Sequence, residues 1–356
     1  MFDLKAYGYM SAEIPGEGLI PGRVMELRRE LYTCVCEYGE IPAVVKGSFA
    51  HRIAERAEFP TVGDFVFLSY NESGSSAIAR VLPRRSKFSR SDFSGHAAGY
   101  VKNIQEQVAA ANFDFVFILS SLNQDFKANR ISRYLTAAWN SGGLPVLILT
   151  KADLCTDFSV QVKTARKLPG EVPVIPLSSL TGFGLENLGE YLQPGKTVVF
   201  LGSSGVGKSS LLNTLAGREL MTVKAIRHDD GRGRHTTTHR QMFRLPSGAL
   251  VIDTPGMREL GLWDAGEGIG EIFSAVESLF TRCRFSNCTH TVEPDCAVRA
   301  ALESGDLPRD QWEQYLLQKK EAAFVENRSA YLREKQEWHK SLAKSSQLKK
   351  RNGFFE

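Results

Sequence analysis

The chain has 356 residues, of which 42% are hydrophobic and 24% charged, and its formal net charge is +4. These values are typical of a globular protein with about two to three domains. The longest apolar stretch, residues 113–122, contains Asp114 and is shorter than the roughly 18 residues of a membrane-spanning helix, and the first residues lack a secretory signal, so we expect a cytoplasmic protein.

Residues 23–83 carry short apolar segments separated by turn residues, which is typical of β-strands. The predicted strands lie within residues 23–38, 43–46, 65–68 and 77–82. About five short strands in so short a stretch predict a small β-barrel. Residues 83–102 are polar and basic, and this composition is typical of a linker.

From residue 112 onward, apolar strands alternate with helices, which predicts a mostly parallel sheet covered on both faces. The predicted strands are residues 114–119, 145–150, 172–177, 197–201 and 250–253, and the predicted helices are residues 129–139, 185–192 and 271–280. Largely helical sequence follows. We therefore divide the chain into a barrel with its linker (residues 1–95), a central α/β domain (residues 96–268) and a C-terminal helical domain (residues 269–356).

Residues 202–209 match the phosphate-loop motif G-x-x-x-x-G-K-[ST] in full, between a predicted strand and a helical run. Backbone N–H groups of such a loop wrap a phosphate, and the helix that follows adds the positive end of its dipole. Lys208 is then placed to neutralise the β and γ oxygens, and the Ser209 hydroxyl to ligate Mg²⁺. The motif predicts a nucleoside triphosphate site formed by Gly202, Ser203, Ser204, Gly205, Val206, Gly207, Lys208, Ser209 and Ser210.

Asp253 ends the last predicted strand and begins the sequence Asp-Thr-Pro-Gly. A carboxylate at that position can hold Mg²⁺ through water, and the N–H of Gly256 can sense a γ-phosphate. Between this segment and the phosphate loop lies a Gly-rich loop with three adjacent threonines, whose hydroxyls suit a Mg²⁺ ligand ordered by the triphosphate. Among the three we choose Thr237.

Two segments that follow predicted strands are typical of guanine recognition. They are Thr150, Lys151, Ala152 and Asp153, and Ser178 and Ser179. A buried Asp153 carboxylate can accept hydrogen bonds from both the ring N1–H and the exocyclic amine of guanine, whereas adenine offers neither donor. The stem of Lys151 can lie against the base, and the serines can add a backbone contact to the guanine carbonyl.

A cluster of three cysteines and one histidine near residue 290 predicts a metal site. Its members are Cys283, Cys288, His290 and Cys296. Three thiolates and one imidazole at this spacing fit a closed, tetrahedral, structural Zn²⁺ ion, with no ligand position left for catalysis. A disulfide is disfavoured in a reducing compartment.

Positive charge is concentrated in two places. Residues 319–356 hold ten Lys and Arg against five Asp and Glu. A second group consists of Arg80, Arg84, Arg85, Lys87 and Arg90. Two basic patches on a near-neutral body indicate contact with a polyanion, although solvated charged faces are the alternative.

The nucleotide motifs resemble the five signatures of GTPases, in a circularly permuted order that puts the guanine segments before the phosphate loop. With the segments at residues 82–86, 253–262 and 283–298, this order closely resembles the ribosome small subunit-dependent GTPase A family (RsgA/YjeQ type) over nearly the whole chain. The resemblance implies an N-terminal OB-fold barrel, a central permuted P-loop GTPase domain and a C-terminal zinc-binding domain.

The resemblance also implies GTP hydrolysis stimulated by the small (30S) ribosomal subunit during its late maturation, with binding to 16S rRNA. We expect a monomer with no membrane partner. Thr150 departs from the usual Asn, which normally braces the site and does not read the base, so guanine selectivity should survive. No glutamine follows Gly256 to orient water, so we expect slow intrinsic hydrolysis, completed by a partner or by His235 or His239.

Three other functions stay open at this point. One is a permuted GTPase of the large ribosomal subunit, which the barrel and zinc arrangement disfavours. Another is a GTP-gated RNA-binding module in which hydrolysis is incidental. The third is a P-loop ATPase, which competition between GTP and ATP would test.

Overall fold

The computed structural model describes residues 2–10, 12–92, 105–123, 126–221, 240–253, 266–320 and 322–323. Its strands are β1 (Ile20–Arg28), β2 (Leu31–Cys36), β3 (Gly39–Val45), β4 (Phe65–Ser69), β5 (Ser76–Val81), β6 (Lys87–Asp92), β7 (Gln105–Ala111), β8 (Phe115–Ser121), β9 (Leu144–Thr150), β10 (Val174–Pro176), β11 (Thr197–Leu201), β12 (Arg240–Arg244) and β13 (Leu250–Asp253). Its α-helices are α1 (Gly47–Ala50), α2 (Ala128–Asn140), α3 (Ser159–Arg166), α4 (Lys208–Ala216), α5 (Gly266–Ile272), α6 (Ser274–Phe280), α7 (Ala297–Ser304) and α8 (residues 309–320). No helix within these residues is long and apolar enough to cross a membrane.

The first five strands close into a barrel, as the sequence predicts. β1 pairs with both β2 and β4, β3 pairs with β2 and β5, and β4 pairs with β5, so the ring is continuous. Alternation along the strands directs Val24, Cys34, Val66 and Ile78 into the interior, where all four are fully buried. A closed five-stranded barrel with its own core is OB-like.

The central domain contains the predicted sheet, in the strand order β10-β9-β8-β11-β13-β12. All neighbouring pairs are parallel except the last, in which β12 runs antiparallel to β13. Phe117 and Phe200 pack with Leu211 of α4 on one face of the sheet. Ile118 packs on the other face with Leu135 of α2. Burial on both faces explains why these strands are apolar throughout.

Strand β12 joins the barrel to the central sheet. It pairs with β13 on one side and with barrel strand β1 on the other, where Glu26 lies opposite Gln241 and Leu27 opposite Arg240. The barrel and the central sheet therefore form one continuous hydrogen-bonded sheet. Sequence patterning misses β12, because residues 240–244 include only two apolar side chains, of which Met242 is buried.

Arg23 of β1 is fully buried at this junction. Its guanidinium donates hydrogen bonds to the carbonyl of Tyr7 at 2.5 Å, of Asn112 at 2.7 Å and of Gly63 at 3.3 Å. Burial, followed by the nearby charge of Arg85, lowers the pKa of Arg23 to about 9, so the side chain stays charged at neutral pH. A buried guanidinium whose donors are satisfied holds the N-terminal turn, the barrel and the start of the central domain together.

The segment that we expect to be a linker contains a strand. β6 pairs with β7, with Lys87 opposite Ala111 and Phe88 opposite Ala110. Phe88 is buried and stacks on Phe113 at a ring distance of 4.9 Å, which composition alone does not reveal in so polar a stretch. The predicted domain boundary at residue 95 lies between these two paired strands and stays a prediction.

The second basic group is not one exposed patch. Arg84 donates two hydrogen bonds to the buried carboxylate of Asp64, at 2.8 and 2.7 Å, and its side chain is only 13% exposed. Arg80 pairs with Glu13 at 2.8 Å. Because these cations neutralise carboxylates of the same chain, the positive charge available to a partner is smaller than the sequence suggests.

Two helix predictions need correction. Residues 185–192 form only a 3-10 turn, Leu185–Leu188, because Gly184 at φ +75° and Gly189 flank it. Residues 271–280 divide between α5 and α6, which meet at Phe273. The buried ring of Phe273 lies at the break, so packing against the core sets the helix boundary.

The C-terminal helices dock on α2 of the central domain. A Cβ at Gly268 of α5 would lie 2.3 Å from the carbonyl oxygen of Thr136, so the two helices touch at a glycine. From α8, buried Gln318 donates to Ser132 Oγ at 3.1 Å and accepts from Thr136 Oγ1 at 2.5 Å. Since a buried amide must keep its partners, these bonds define how α8 sits on α2.

Gly63→Ala should destabilise the protein far more than Gly18→Ala. Both glycines have positive φ, +95° and +70°, but a Cβ at Gly63 would lie 2.0 Å from the carbonyl oxygen of Ala111, whereas Gly18 has open space. We expect a loss of about 3 kcal/mol for Gly63→Ala and about 1 kcal/mol for Gly18→Ala in the free energy of unfolding. Thermal unfolding followed by circular dichroism measures both, and equal midpoints would contradict this account of the junction.

Candidate functional site

The predicted nucleotide residues meet at one edge of the central sheet. In a parallel sheet the carboxyl ends of the strands lie at the same edge, which we term the carboxyl edge. Thr150 ends β9, Asp253 ends β13, Gly202 follows β11, and Ser178 lies two residues after β10. Four segments that are far apart in the sequence therefore converge.

The phosphate loop begins where backbone freedom is required. Gly202 has φ +150°, and a Cβ there would lie 2.6 Å from the carbonyl oxygen of Leu119. Gly207, at φ +106°, immediately precedes α4. Lys208 Nζ donates to the carbonyls of Gly202 and Ser203, both at 2.6 Å, which holds its ammonium against the loop. Ser209 and Ser210 lie half-buried in the first turn of α4, where N–H groups and the helix dipole favour a phosphate.

Thr150 ties the guanine segment to the phosphate loop. Its hydroxyl donates to the buried carbonyl of Val206 at 2.6 Å, and its own carbonyl accepts from Leu122 N at 2.9 Å. Both Thr150 and Val206 are almost completely buried. The Thr150 hydroxyl therefore makes the bracing contact that we expect from the asparagine usual at this position of the guanine motif.

Asp153 is held by a serine of the second guanine segment. Ser178 Oγ donates to Asp153 Oδ1 at 2.5 Å and accepts from the N–H groups of Leu180 and Thr181, each at 3.2 Å. Ser178 is buried, but Asp153 is exposed, which corrects our expectation of a buried carboxylate. Lys151, at φ +61°, turns the chain between Thr150 and Asp153. The carboxylate is thus oriented while it remains accessible to a base.

Ser179 and Ala152 complete these segments through their backbones. The Ser179 carbonyl accepts from Thr214 Oγ1 of α4 at 3.2 Å, and Ala152 N donates to the Leu177 carbonyl at 3.1 Å. Sequence reasoning missed Thr214, whose place on the face of α4 that meets residue 179 depends on tertiary packing. Both guanine segments are therefore tied to the elements that surround the phosphate loop.

Asp253 is half-buried at the end of β13, with Gln241 of β12 as its register partner. This places its carboxylate at the carboxyl edge, one strand away from the phosphate loop. Thr237, Gly256, His235 and His239 lie outside the described residues, so their roles stay predictions.

The three cysteines and the histidine converge as the spacing predicts. Their ligand atoms all lie within 4.8 Å of one another, so this metal cluster (Cys283, Cys288, His290 and Cys296) could hold a metal ion. Cys283 Sγ is 3.6 Å from His290 Nδ1 and 4.0 Å from Cys296 Sγ, and Cys296 Sγ is 3.5 Å from His290 Nδ1. At these distances the thiols are free and form no disulfide.

Glu293 orders the loop around His290. Its carboxylate accepts from Thr289 Oγ1 and N, from Thr291 N and from Val292 N, at 2.5 to 3.2 Å. These bonds, that from the Thr289 hydroxyl first, hold the pKa of Glu293 well below its usual range. The ring of His290 stacks on Phe280 at 4.4 Å. Sequence reasoning missed both supports, although a Glu three residues after a histidine ligand is a usable signal.

Comparisons with known proteins show which family this chain resembles. The family model for the RsgA GTPase matches residues 81–263. The small ribosomal subunit biogenesis GTPase RsgA 2 of Lactiplantibacillus plantarum is 44% identical over 86% of this chain and 84% of its own length. The structure of YjeQ from Thermotoga maritima has a TM-score of 0.61 and is 27% identical over 86% of this chain and 99% of its own.

A further structure, that of YloQ, a circularly permuted GTPase, has a TM-score of 0.60 over 88% of this chain and 96% of its own. At 22% identity this likeness concerns the fold alone. The family model covers half of the chain, and the curated relative covers more than two thirds of it. The chain therefore belongs to the RsgA GTPase family.

Proposed function

We propose that this GTPase acts as a late-stage maturation factor of the small (30S) ribosomal subunit, binds 16S rRNA and is stimulated by that subunit. The observation that carries the proposal is the convergence of phosphate loop, guanine segments and Asp253 at one edge, in a chain whose relatives are named small ribosomal subunit biogenesis GTPases. A cytoplasmic monomer with an RNA-binding barrel, a permuted GTPase domain and a zinc-binding helical domain fits this role.

We assign the nucleotide contacts as follows. The phosphate loop cradles the phosphates, with Lys208 on the β and γ oxygens and Ser209 on Mg²⁺. Asp153, held by Ser178, reads the guanine edge, and Lys151 covers the base. The Thr150 hydroxyl connects the guanine segment to the phosphate loop. A conformational change in one of these segments should therefore alter the position of the other.

Hydrolysis needs a group that places the attacking water. The residues after Gly256 are Met257, Arg258 and Glu259, and none of them is the glutamine that serves this purpose in related enzymes. His235 and His239 are our candidates within the chain. Turnover by the protein alone should therefore be slow, and contact with the ribosomal subunit should complete the site.

Zinc is the ion that the metal cluster fits best. A tetrahedral Zn²⁺ with bonds of about 2.3 Å to sulfur and about 2.1 Å to nitrogen places two sulfurs about 3.8 Å apart and sulfur and nitrogen about 3.6 Å apart. The corresponding distances here are 4.0 Å and 3.5 to 3.6 Å. Four protein ligands leave no open position, so the ion would be structural.

GTP turnover measured with purified small subunits, with large subunits and without ribosomes tests the proposed function. We expect slow turnover alone, an increase of at least tenfold with small subunits, and little change with large subunits. Lys208→Ala, which removes the ammonium from the phosphate loop, is the inactive control. Stimulation by large subunits would support the alternative permuted GTPase, and no stimulation would support an RNA-binding module in which hydrolysis is incidental.

The purified chain should contain one zinc ion, and Cys288→Ser should remove it. Cys155→Ser is the matched control, because Cys155 is a half-buried thiol outside the metal cluster. Loss of the ion would remove the ligand bonds that connect the end of α6 to the start of α7. We therefore expect Cys288→Ser, but not Cys155→Ser, to be less thermally stable than the parent. Metal content by atomic emission and thermal unfolding measure both effects. Full zinc occupancy in Cys288→Ser would contradict the assignment.

Thr150→Val should weaken GDP binding about tenfold, because it leaves the buried Val206 carbonyl without its donor at a cost of about 1 to 2 kcal/mol. Thr150→Ser keeps the hydroxyl and should bind within about threefold of the parent. Titration with a fluorescent GDP analogue measures both variants. If the Thr150→Val and Thr150→Ser variants bind GDP with equal affinity, the hydrogen bond from Thr150 to Val206 does not position the phosphate loop.

A further inference from the structure

Four exposed cations belong to segments that adjoin one another at the amino edge of the central sheet, where β8, β11 and β13 begin. We term them the basic edge: Lys5, Arg85, Lys196 and Arg244. Only Arg85 belongs to either basic group that the sequence suggests. The others come from separate parts of the chain, the N-terminal turn, the residue before β11 and the end of β12.

Asp114 brings two of these cations together. Its Oδ1 atom lies 3.6 Å from both Arg85 Nη1 and Lys196 Nζ, so the two cationic groups are at most about 7 Å apart. Its Oδ2 atom accepts from Thr197 N at 2.8 Å, which fixes the carboxylate. The side chains of Arg85 and Lys196 are 45% and 48% exposed and therefore open to a partner.

Arg244 and Lys5 extend the same surface. Leu250 pairs with Arg244 on one side and with Thr197, which follows Lys196, on the other, so two strand spacings of about 4.8 Å separate these segments. The Arg244 guanidinium lies over the ring of Tyr7 at 5.5 Å. Lys5 belongs to the same turn, and its carbonyl lies 3.2 Å from a Cβ placed on Gly195.

The charge of this surface is unbalanced. Within the described part of the chain, two carboxylates bond to these segments, Asp114 and Asp3, which receives the N–H of Lys5 at 2.9 Å, against four cations. The neighbouring Lys87 is already paired with Glu106 at 2.7 Å. Like charges held this close cost free energy unless a partner of opposite charge neutralises them, and guanidinium and ammonium groups together suit phosphate oxygens.

We propose that the basic edge binds the phosphate backbone of RNA, as a contact separate from the barrel and from the nucleotide site. The inference rests on the proposed function for the presence of RNA, but the surface is defined by this chain's own residues. β11 spans five residues, so the basic edge lies about 16 Å from the phosphate loop across the sheet. Its contribution to binding should therefore be the same with GDP and with a GTP analogue.

The test compares Lys196→Gln/Arg244→Gln with a matched pair, Lys163→Gln/Lys167→Gln. The control pair removes the same charge from exposed positions at the end of α3, on a different part of the sheet. Affinity for purified small ribosomal subunits and for poly(U) is measured over a range of salt concentrations, with GDP and with a GTP analogue. GTP turnover without ribosomes, which neither pair should change, reports correct folding.

Removal of two phosphate contacts should weaken binding about tenfold and reduce the slope of log affinity against log salt by about 1.4 to 1.8, equally in both nucleotide states. The control pair should bind like the parent. If the parent binds small subunits and the edge variant keeps the parent's slope, the basic edge is overturned and the proposed function stands. If the parent does not bind subunits, the proposed function fails, and an unchanged slope on poly(U) then overturns the basic edge as well.

Discussion

The parallel register of β9, β8, β11 and β13 is the constraint on which the functional site depends. Parallel strands end at the same edge, so segments that follow them meet in space whatever their order in the chain. The guanine segments precede the phosphate loop here, yet a hydrogen bond from Thr150 to Val206 joins the two directly. A circular permutation of the motifs therefore leaves the arrangement of the site unchanged, because the sheet, and not the order along the chain, determines which segments lie close together.

The second constraint is the pairing of β12 with β1. β12 follows the segment that carries Thr237 in the sequence, and it is hydrogen-bonded to both β13 and β1. Buried Arg23 reinforces the same junction through three carbonyls. The barrel and the central sheet are consequently one mechanical unit. The C-terminal helices contact this unit through side chains, as where Gln318 of α8 hydrogen-bonds to Ser132 and Thr136 of α2.

Features with local causes could be predicted from the sequence. The phosphate loop, the apolar strands and the metal cluster each follow from residue types at short spacing. Features with tertiary causes could not. β12 and β6 are strands because neighbouring strands pair with them. Arg84 is half-buried because it pairs with the buried carboxylate of Asp64, and the exposure of Asp153 depends on how its loop packs beside Ser178. The basic edge likewise comes from four distant segments and has no sequence signature.

We propose that these distant segments form a single guanine nucleotide site, with Asp153 as the group that reads the base. The most direct test is the affinity of Asp153→Asn for GDP and for xanthosine diphosphate, compared with that of the parent. An amide donates where the carboxylate accepts, so we expect the parent to prefer GDP and the variant to prefer the xanthine nucleotide by at least about tenfold. A variant that keeps the parent's preference for GDP would contradict it.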